Sequence, residues 1–576
     1  MSEPRSLSLT GARWRMREAD EAAATELCEK LGTRDMIARA LACRGITDVG
    51  EARSFLGHDI AGLADPFLMK DMDRAVERVE AALARGVLIR VYGDYDVDGV
   101  CATALLVRAL QGLGGRVDWY IPHRLEEGYG VNEEAVQQAS AEGVELLVAV
   151  DCGSTAVGPI ALARRLGMEV VVCDHHRLAE ELPDAPVLNP WRDDCAYPFK
   201  DLAGVGVTFK LVSALARARQ LADGQELHFL DLVCLGTVAD VVPLLGENRL
   251  FVQHGLQHLP NTRKLGLAAL MEAASIRGPV LSGHVAFGLA PRINAVGRME
   301  HACAAVKLLL TSEETEARAL AADLSEQNTR RRAEERQTLA EAEEMLAAEV
   351  DLSREPVIVL ASERWHPGVI GIVASRLVER YHRPALLVAL SDGVGKGSGR
   401  SVEAFNLWEA VRTCAPLLTR FGGHHYAVGF GVMEEDISSF RERINELASA
   451  RLAMEDLVRY IDIDAEIHLR SLTLEALDDL DRLAPFGMAN PRPTLLTQGL
   501  VVQEAKCVGD GSHLALRVRE EGGPALPAIW FGAGEFAPQL PIGRRVDACY
   551  RAKKDEWNGN LRVRLQVEDV GVREGS

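Results

Sequence analysis

Val91-Tyr92-Gly93-Asp94-Tyr95-Asp96-Val97-Asp98-Gly99 alternates three aspartates directly after the apolar run Val87-Leu88-Ile89-Arg90-Val91. That run is short and rich in branched residues, so it reads as a buried strand. From Cys101 to Leu110 the chain reads as a helix. Three carboxylates therefore stand at the C-terminal end of a strand, just before a helix, the edge where open α/β sheets bind ligands. Their charges repel unless a cation lies among them, and hard carboxylate oxygens suit Mg²⁺ or Mn²⁺. Taken alone, the stretch reads equally well as a solvated acidic turn, because turns favour Asp and Gly for backbone reasons.

The pattern repeats outward. After Arg116–Ile121 comes a loop, Pro122–Gly130, then a helix over 132–142. The apolar segment Leu146–Val150 ends in Asp151-Cys152-Gly153, a helix follows over 156–166, and Glu169–Cys173 runs into Asp174-His175-His176. Apolar strands separated by helices predict a parallel sheet covered on both faces, whose strand ends share one edge. A single Asp at a strand end is commonly a turn residue or a helix cap. Three such ends, one with paired histidines, point to convergence. Asp240 interrupts the apolar segment Leu232–Val242, and a buried Asp is costly unless it is paired or bound to metal.

Asp94-x-Asp96-x-Asp98, Asp151, Asp174-His175-His176 and Asp240 resemble the four motifs of the DHH phosphoesterase superfamily. Within it, Tyr92-Gly93-Asp94-Tyr95-Asp96, Pro122-His123-Arg124 with Glu127-Gly128-Tyr129-Gly130, and Gly236-Thr237-Val238-Ala239-Asp240 are similar to the RecJ exonucleases. The resemblance implies metal-dependent hydrolysis of single-stranded DNA from a free 5′ end to 5′-mononucleotides. It implies a two-ion site for Mn²⁺ or Mg²⁺, with Asp96, Asp98, Asp151, His175 and Asp240 as ligands. Asp94 is a further ligand or a supporting partner. His176 is expected at the scissile phosphate, and Asp174 as the group that orients an imidazole. Tyr92 departs from the superfamily, some of whose members place a metal-binding His there.

Further along, Gly288–Met299 reads as a loop presenting Arg292, Asn294 and Arg298, suited to gripping a phosphate. It resembles the family's Arg-x-Asn-Ala-x-Gly-Arg motif. The Ala-, Glu- and Arg-rich stretch 312–350, without Gly or Pro, predicts one long connecting helix. A second α/β pattern follows, with a glycine-rich loop, 393–401, carrying Ser398 and Arg400, and then Gly422-Gly423-His424. These resemble a DHHA1 substrate-binding domain, although Gly-Gly alone reads as a tight turn. From 456 on, short alternating segments predict a small barrel of the OB type. Between Pro541 and Val567 stand Arg544, Arg545, Arg551, Lys553, Lys554, Arg562 and Arg564 against three acidic residues, with Tyr550 and Trp557 among them. Basic residues interleaved with aromatics suit a stacking platform for single strands; the plainer reading is a solvated barrel face.

The fold expected is therefore α/β: a helical N-terminal layer (1–80), a parallel-sheet DHH domain (81–311), a connecting helix (312–350), a smaller α/β DHHA1 domain (351–455) and an all-β OB-fold domain (456–576). Of 576 residues, 48% are hydrophobic and 26% charged, an ordinary globular balance. Eleven cysteines without a Cys-x-x-Cys pair fit a reducing cytoplasm, and no signal-peptide core or membrane span is visible. A net charge of -20 excludes bulk electrostatic attraction to nucleic acid, so local patches must do the binding. The partners expected are single-stranded DNA, a single-strand-binding protein and a helicase, around a monomer. Three alternatives differ in class: a DHH phosphodiesterase for short oligonucleotides or cyclic dinucleotides, a manganese pyrophosphatase, and a non-catalytic replication scaffold. The basic, strand-rich C-terminal part and the retained acidic set argue against them.

Overall fold

Branched apolar segments build an all-parallel, five-stranded sheet in the computed structural model, which describes residues 6–124, 127–299 and 302–573. Its strands are β1 (Leu88–Tyr92), β2 (Arg116–Tyr120), β3 (Val144–Val150), β4 (Glu169–Cys173) and β5 (Val187–Leu188), in the order β2-β1-β3-β4-β5. Side chains alternate between two cores. Leu146, Val148 and Val150 of β3 face one, with α1 (Val97–Gly112), α2 (Gly204–Ala218) and α3 (Leu230–Ala239). Leu147 and Ala149 face the other, with the helices Glu133–Ala141 and Val157–Arg165. Each fully buried Val or Leu contributes roughly 1.5–3 kcal/mol. The strand order reverses between β1 and β3, the place where ligands bind in such sheets. The Asp94–Asp98 stretch and Asp151 follow these two strands.

The chain divides into two compact units. One comprises 54–330 with 484–491; the other comprises residues up to 53, 331–483 and those from 492 on. The boundary at 330 falls within α5 (Glu314–Glu349), 36 residues and about 54 Å long.

In the second unit the glycine-rich stretch is a strand, not a loop. β6 (Ile358–Ser362), β7 (Ala385–Ser391), β8 (Val394–Arg400), β9 (Leu418–His424) and β10 (Ala427–Met433) form a sheet in the order β9-β10-β8-β7-β6. Gly395, Gly397 and Gly399 lie buried on one face of β8, where a Cβ would strike Val388, Phe430 and Val428. Lys396, Ser398 and Arg400 take the alternate positions. Gly422 and Gly423 likewise stand within β9, an edge strand, and His425-Tyr426 makes the turn to β10.

The C-terminal strands close a five-membered barrel: Leu495–Val508, His513–Arg519, Ala525–Trp530, Asn560–Arg573 and Arg545–Trp557, which pairs back to the first. The N-terminus corrects the expectation of a purely helical layer. Ser6–Ser8 pairs with the last strand, and Arg13–Met16 runs parallel to Tyr460–Ile463. Partners more than 400 residues away leave no local signal. Among the described residues, no helix is long and apolar enough to cross a membrane.

Candidate metal centre

The three aspartates after β1 enter the site through different backbone roles. Asp96 caps α1, its Oδ1 accepting from the backbone N–H of Asp98 at 2.9 Å and Gly99 at 3.1 Å. The helix therefore begins two residues before Gly99, and Asp98 lies in its first turn. Asp98 is buried; its Oδ2 accepts from the Gly204 N–H at 2.6 Å and its Oδ1 from Val205 at 3.0 Å. The N-terminus of α2 thus holds the carboxylate by two backbone donors and the helix dipole. Asp94, also buried, sits between Gly93 and the start of α1, where a Cβ on Gly99 would come 2.6 Å from the Asp94 nitrogen.

Other elements bring the remaining groups to the same edge. Asp151 follows β3 in the left-handed region, φ 59°, a conformation that costs a non-glycine residue and points to a functional constraint. A Cβ on Gly204 would collide with its carboxylate, and one on Gly236 would come 2.6 Å from Asp98 Oδ1. Those two glycines let α2 and α3 close onto the acidic groups. Asp240 caps the C-terminus of α3. His175 Nε2 lies 3.2 Å from Asp151 Oδ1, 3.5 Å from Asp240 Oδ2 and 4.0 Å from Asp98 Oδ2.

The paired histidines face different ways. The His175 side chain is 13% exposed and that of His176 42%, so only His176 is open to a substrate. His176 Nδ1 is 2.8 Å from Asp174 Oδ1, which also accepts from the backbone N–H of His175 and His176, while Ser154 N–H donates to Asp174 Oδ2 at 2.9 Å. Burial alone would raise Asp174, but the His176 hydrogen bond and charge outweigh it and hold that carboxyl below its ordinary range. His176 is correspondingly raised, its ion pair overcoming burial. Burial and the neighbouring His176 push His175 down to about 4, so it is a neutral imidazole at neutral pH, the form that ligates metal. Burial, then repulsion from Asp96, pushes Asp98 up to about 7; burial and like charges also raise Asp94, Asp151 and Asp240.

Four buried atoms at this edge make no hydrogen bond: Asp94 Oδ1, Asp151 Oδ1, His175 Nε2 and Asp240 Oδ2. Buried polar atoms are nearly always paired, and four orphans together fit a divalent cation. Ligand atoms within 4.8 Å of one another come from Asp94, Asp96 and Asp151, from Asp98, His175 and Asp240, and from Asp151, His175 and His176. Carboxylate oxygens with one imidazole suit Mn²⁺ or Mg²⁺.

Sequence reasoning did not single out several groups as individual supports. Tyr129 Oη lies 2.9 Å from His176 Nδ1, and Asn189 Nδ2 donates to the His176 carbonyl at 2.9 Å and to Ser154 Oγ at 3.1 Å. Arg124 lies over the Tyr95 ring, 4.7 Å from its centroid. Leu125 and Glu126 of that loop lie outside the described residues. Tyr92 stacks on Tyr120 and donates to the Gly130 carbonyl at 3.0 Å, so it straps the loop.

The arginine-bearing stretch is not a loop but α4 (Ala290–Met299), preceded by one π-helical turn. Pro291 stands directly after that π-helical turn, where the regular backbone ladder is already interrupted. Gly297 is required where a Cβ would come 2.8 Å from the Tyr95 carbonyl. Arg292 donates to the Gly288 carbonyl at 2.5 Å and to Ser325 Oγ at 3.2 Å, so its guanidinium braces α4. Arg298 lies close enough to Tyr95 to favour its phenolate electrostatically; Asn294, also on α4, is half-buried.

In the second unit, Arg400 donates to Ser398 Oγ at 3.2 Å and to the Gly399 carbonyl at 2.7 Å. Gly422, Gly423 and His424 are exposed along β9. The barrel patch is largely paired. Arg562 and Arg564 bond Asp555, Arg551 lies 3.3 Å from Glu568, and Lys554 pairs with Asp478 and Asp481. Arg545 lies 4.0 Å from Glu521, and Trp557 is 59% exposed under the Arg562 guanidinium. Lys553 sits in the strand beside Arg551, and burial lowers it; Arg544 flanks that strand. Tyr550 corrects the stacking expectation: it is fully buried and its hydroxyl is 2.6 Å from Thr497 Oγ1.

Residues 88–237 match the DHH family N-terminal domain, 354–450 the DHHA1 domain and 463–569 the RecJ OB domain. The chain is 38% identical to the single-stranded-DNA-specific exonuclease RecJ of Bacillus subtilis, over 98% of this chain and 71% of that protein. It superposes on Thermus thermophilus RecJ in complex with Mn²⁺ with a TM-score of 0.84 and 34% identity, covering 97% of this chain and 79% of the other. The Mg²⁺ complex of the same enzyme gives 0.79 and 33%, covering 98% and 79%. With three matched domains in the family's order and likeness over nearly its whole length, this chain belongs to the RecJ family of single-stranded-DNA-specific exonucleases.

Proposed function

We propose that the protein is a divalent-metal-dependent exonuclease that degrades single-stranded DNA from a free 5′ end to 5′-mononucleotides. The observation that carries this reading is the cluster of four orphaned buried ligand atoms at the sheet edge, in a chain 38% identical to a single-stranded-DNA-specific exonuclease. Asp94, Asp96 and Asp151 would hold one ion; Asp98, His175 and Asp240 would hold the second. Divalent ions held there would activate water and offset charge on the departing 3′ oxygen.

The chain's own residues do the rest. The two N–H donors of α2 fix the Asp98 carboxylate. Asp174 takes the Nδ1 side of His176, leaving its Nε2 for the scissile phosphate. Arg298 and Asn294 on α4, and Ser398, Arg400, Gly422, Gly423 and His424 on the second sheet, hold the strand and its 5′ end. Arg292, whose guanidinium also bonds the Gly288 carbonyl and Ser325 Oγ, would both stiffen that helix and join the set. The barrel face around Trp557 binds the strand further along. A single-strand-binding protein and a helicase would present such ends during DNA repair.

The test is digestion of a long single strand labelled separately at each end, with Mn²⁺, with Mg²⁺ and with EDTA, beside a duplex and an RNA. Early, metal-dependent release of the 5′ label as mononucleotide from single-stranded DNA alone is expected. Turnover confined to di- to tetranucleotides would overturn the reading. Asp96→Ala should lose at least a thousandfold in rate while binding the strand in EDTA as the wild type does.

A further inference from the structure

We infer that residues 484–491 are a positioning clamp for Asp240. The inference rests on the reading of Asp240 as a metal ligand. These eight residues belong to the unit that carries the metal centre, although the residues on either side of them belong to the other unit. Directly after Asp240, Val241 takes φ 61° and is 57% exposed. A β-branched residue in the left-handed region is a true outlier, and such strain persists only where the surroundings over-determine it. An exposed side chain adds little packing to hold that conformation, whereas the residues that follow are fixed at several points.

Leu244, three residues on, is buried and its N–H donates to the Met488 carbonyl at 2.9 Å. Its side chain packs on Gly487, where a Cβ would come 2.6 Å from Leu244 Cδ1. Asn248 Nδ2 holds the Pro243 carbonyl at 3.1 Å. The turn that carries Asp240 is thus fixed on its far side by a segment from late in the sequence.

That segment is built to be rigid. Gly487 and Asn490 exchange backbone hydrogen bonds of 3.0 and 3.2 Å. Asn490 is fully buried, and its Nδ2 donates to the Pro485 carbonyl at 2.8 Å. Ser282 Oγ and Gln253 Nε2 grip the Phe486 and Ala484 carbonyls at 2.7 and 3.3 Å. The side chain of Asn490 is the cross-brace: without it the fold-back opens, Met488 and Gly487 leave Leu244, and the Asp240 turn relaxes. Groups that orient a metal ligand typically cost tenfold to a hundredfold in metal affinity when lost.

The experiment uses the full chain as wild type, Asn490→Ala and Asp240→Asn. Free Mn²⁺ is followed by electron paramagnetic resonance during titration, strand binding is measured in EDTA, and kcat and KM are measured against Mn²⁺. Asn490→Ala should bind one of its ions about tenfold more weakly, with strand binding within twofold and kcat restored at saturating Mn²⁺. Asp240→Asn should lose the same ion without rescue. If Asp240→Asn loses an ion while Asn490→Ala binds both as the wild type does, the clamp is overturned and the ligand assignment stands. If Asp240→Asn itself titrates like the wild type, the ligand assignment falls and the clamp with it. Should Asn490→Ala fail to fold, Gly487→Val, which drives a side chain against Leu244, is read in the same way.

Discussion

Asp98 shows what the metal centre costs the protein when no cation is bound. Its carboxyl is pushed up to about 7 by burial and by Asp96, from an ordinary value of about 4. A folded-state value above the unfolded one means stability fully present below about pH 4 and lost as pH rises through about 7. Asp94, Asp151 and Asp240 are raised in the same direction. A divalent cation offsets this penalty. Calorimetry in EDTA and in Mn²⁺ should therefore show a larger rise in Tm at pH 8 than at pH 6; equal shifts at both would refute the argument. The candidate ligands themselves were legible, because they stand where an apolar strand or helix ends or the next helix begins, positions the chain announces by an apolar run giving way to Asp or His. Their supports were not. Asn189 reaches His176 from thirteen residues away and Ser154 reaches Asp174 from twenty, distances at which residue spacing carries no information. That Arg292 bonds a carbonyl and a hydroxyl of its own fold was not legible either, because the sequence does not show which acceptors the fold brings to it.

At the scale of elements, the strand β8 is the instructive case. Gly395-Lys396-Gly397-Ser398-Gly399-Arg400 has the period of two that marks a strand, but with glycine where a strand normally places a large apolar residue. The reason lies across the sheet. Phe430 fills the space over Gly397, and Phe430 in turn lies 5.0 Å from Phe440. Glycine-rich composition therefore suggested a loop, and only the bulk of the facing residues makes it a strand. Gly297 of α4 misled in the same way, its reason being the Tyr95 carbonyl far back in the sequence. The parallel sheet and α5 were legible because their signals are local. Gly397→Val should destabilise the unit that contains it by about 1–3 kcal/mol through overpacking against Phe430. Urea denaturation followed by tryptophan fluorescence would measure this. Mn²⁺ titration should be unchanged, since no candidate ligand lies in that unit; weakened Mn²⁺ binding would contradict the assignment.

For the molecule as a whole, the charge of -20 sets the problem that single-strand binding must solve. The barrel gathers seven basic residues between Pro541 and Val567, yet five of them, Arg545, Arg551, Lys554, Arg562 and Arg564, already face carboxylates. Composition shows the cations but not their partners: Asp478, Asp481 and Glu568 lie outside the basic stretch, and the N-terminal strand that extends the same sheet was invisible for the same reason. A strand docking on this face competes with those carboxylates, above all with Asp555. Arg562 Nε bonds Asp555 Oδ2 at 2.9 Å and Arg564 Nη1 bonds Oδ1 at 3.1 Å. The two hydrogen bonds outweigh burial and hold the Asp555 carboxyl below its ordinary range. Asp555→Asn removes the charge and keeps the shape, and because these ion pairs are partly exposed it should cost at most about 1 kcal/mol of stability. Arg562 remains over Trp557, beside a base it can help to stack. In EDTA, which withholds the divalent ion, Asp555→Asn should bind single-stranded DNA more tightly than the wild type at low salt. Each arginine released to a phosphate adds about 0.7 to the slope of log affinity against log salt, so the slope should steepen by roughly 0.7–1.4. Unchanged affinity and an unchanged slope would mean that the strand never reaches this face, and the binding role would then fall to the metal-bearing unit and the β8–β10 sheet.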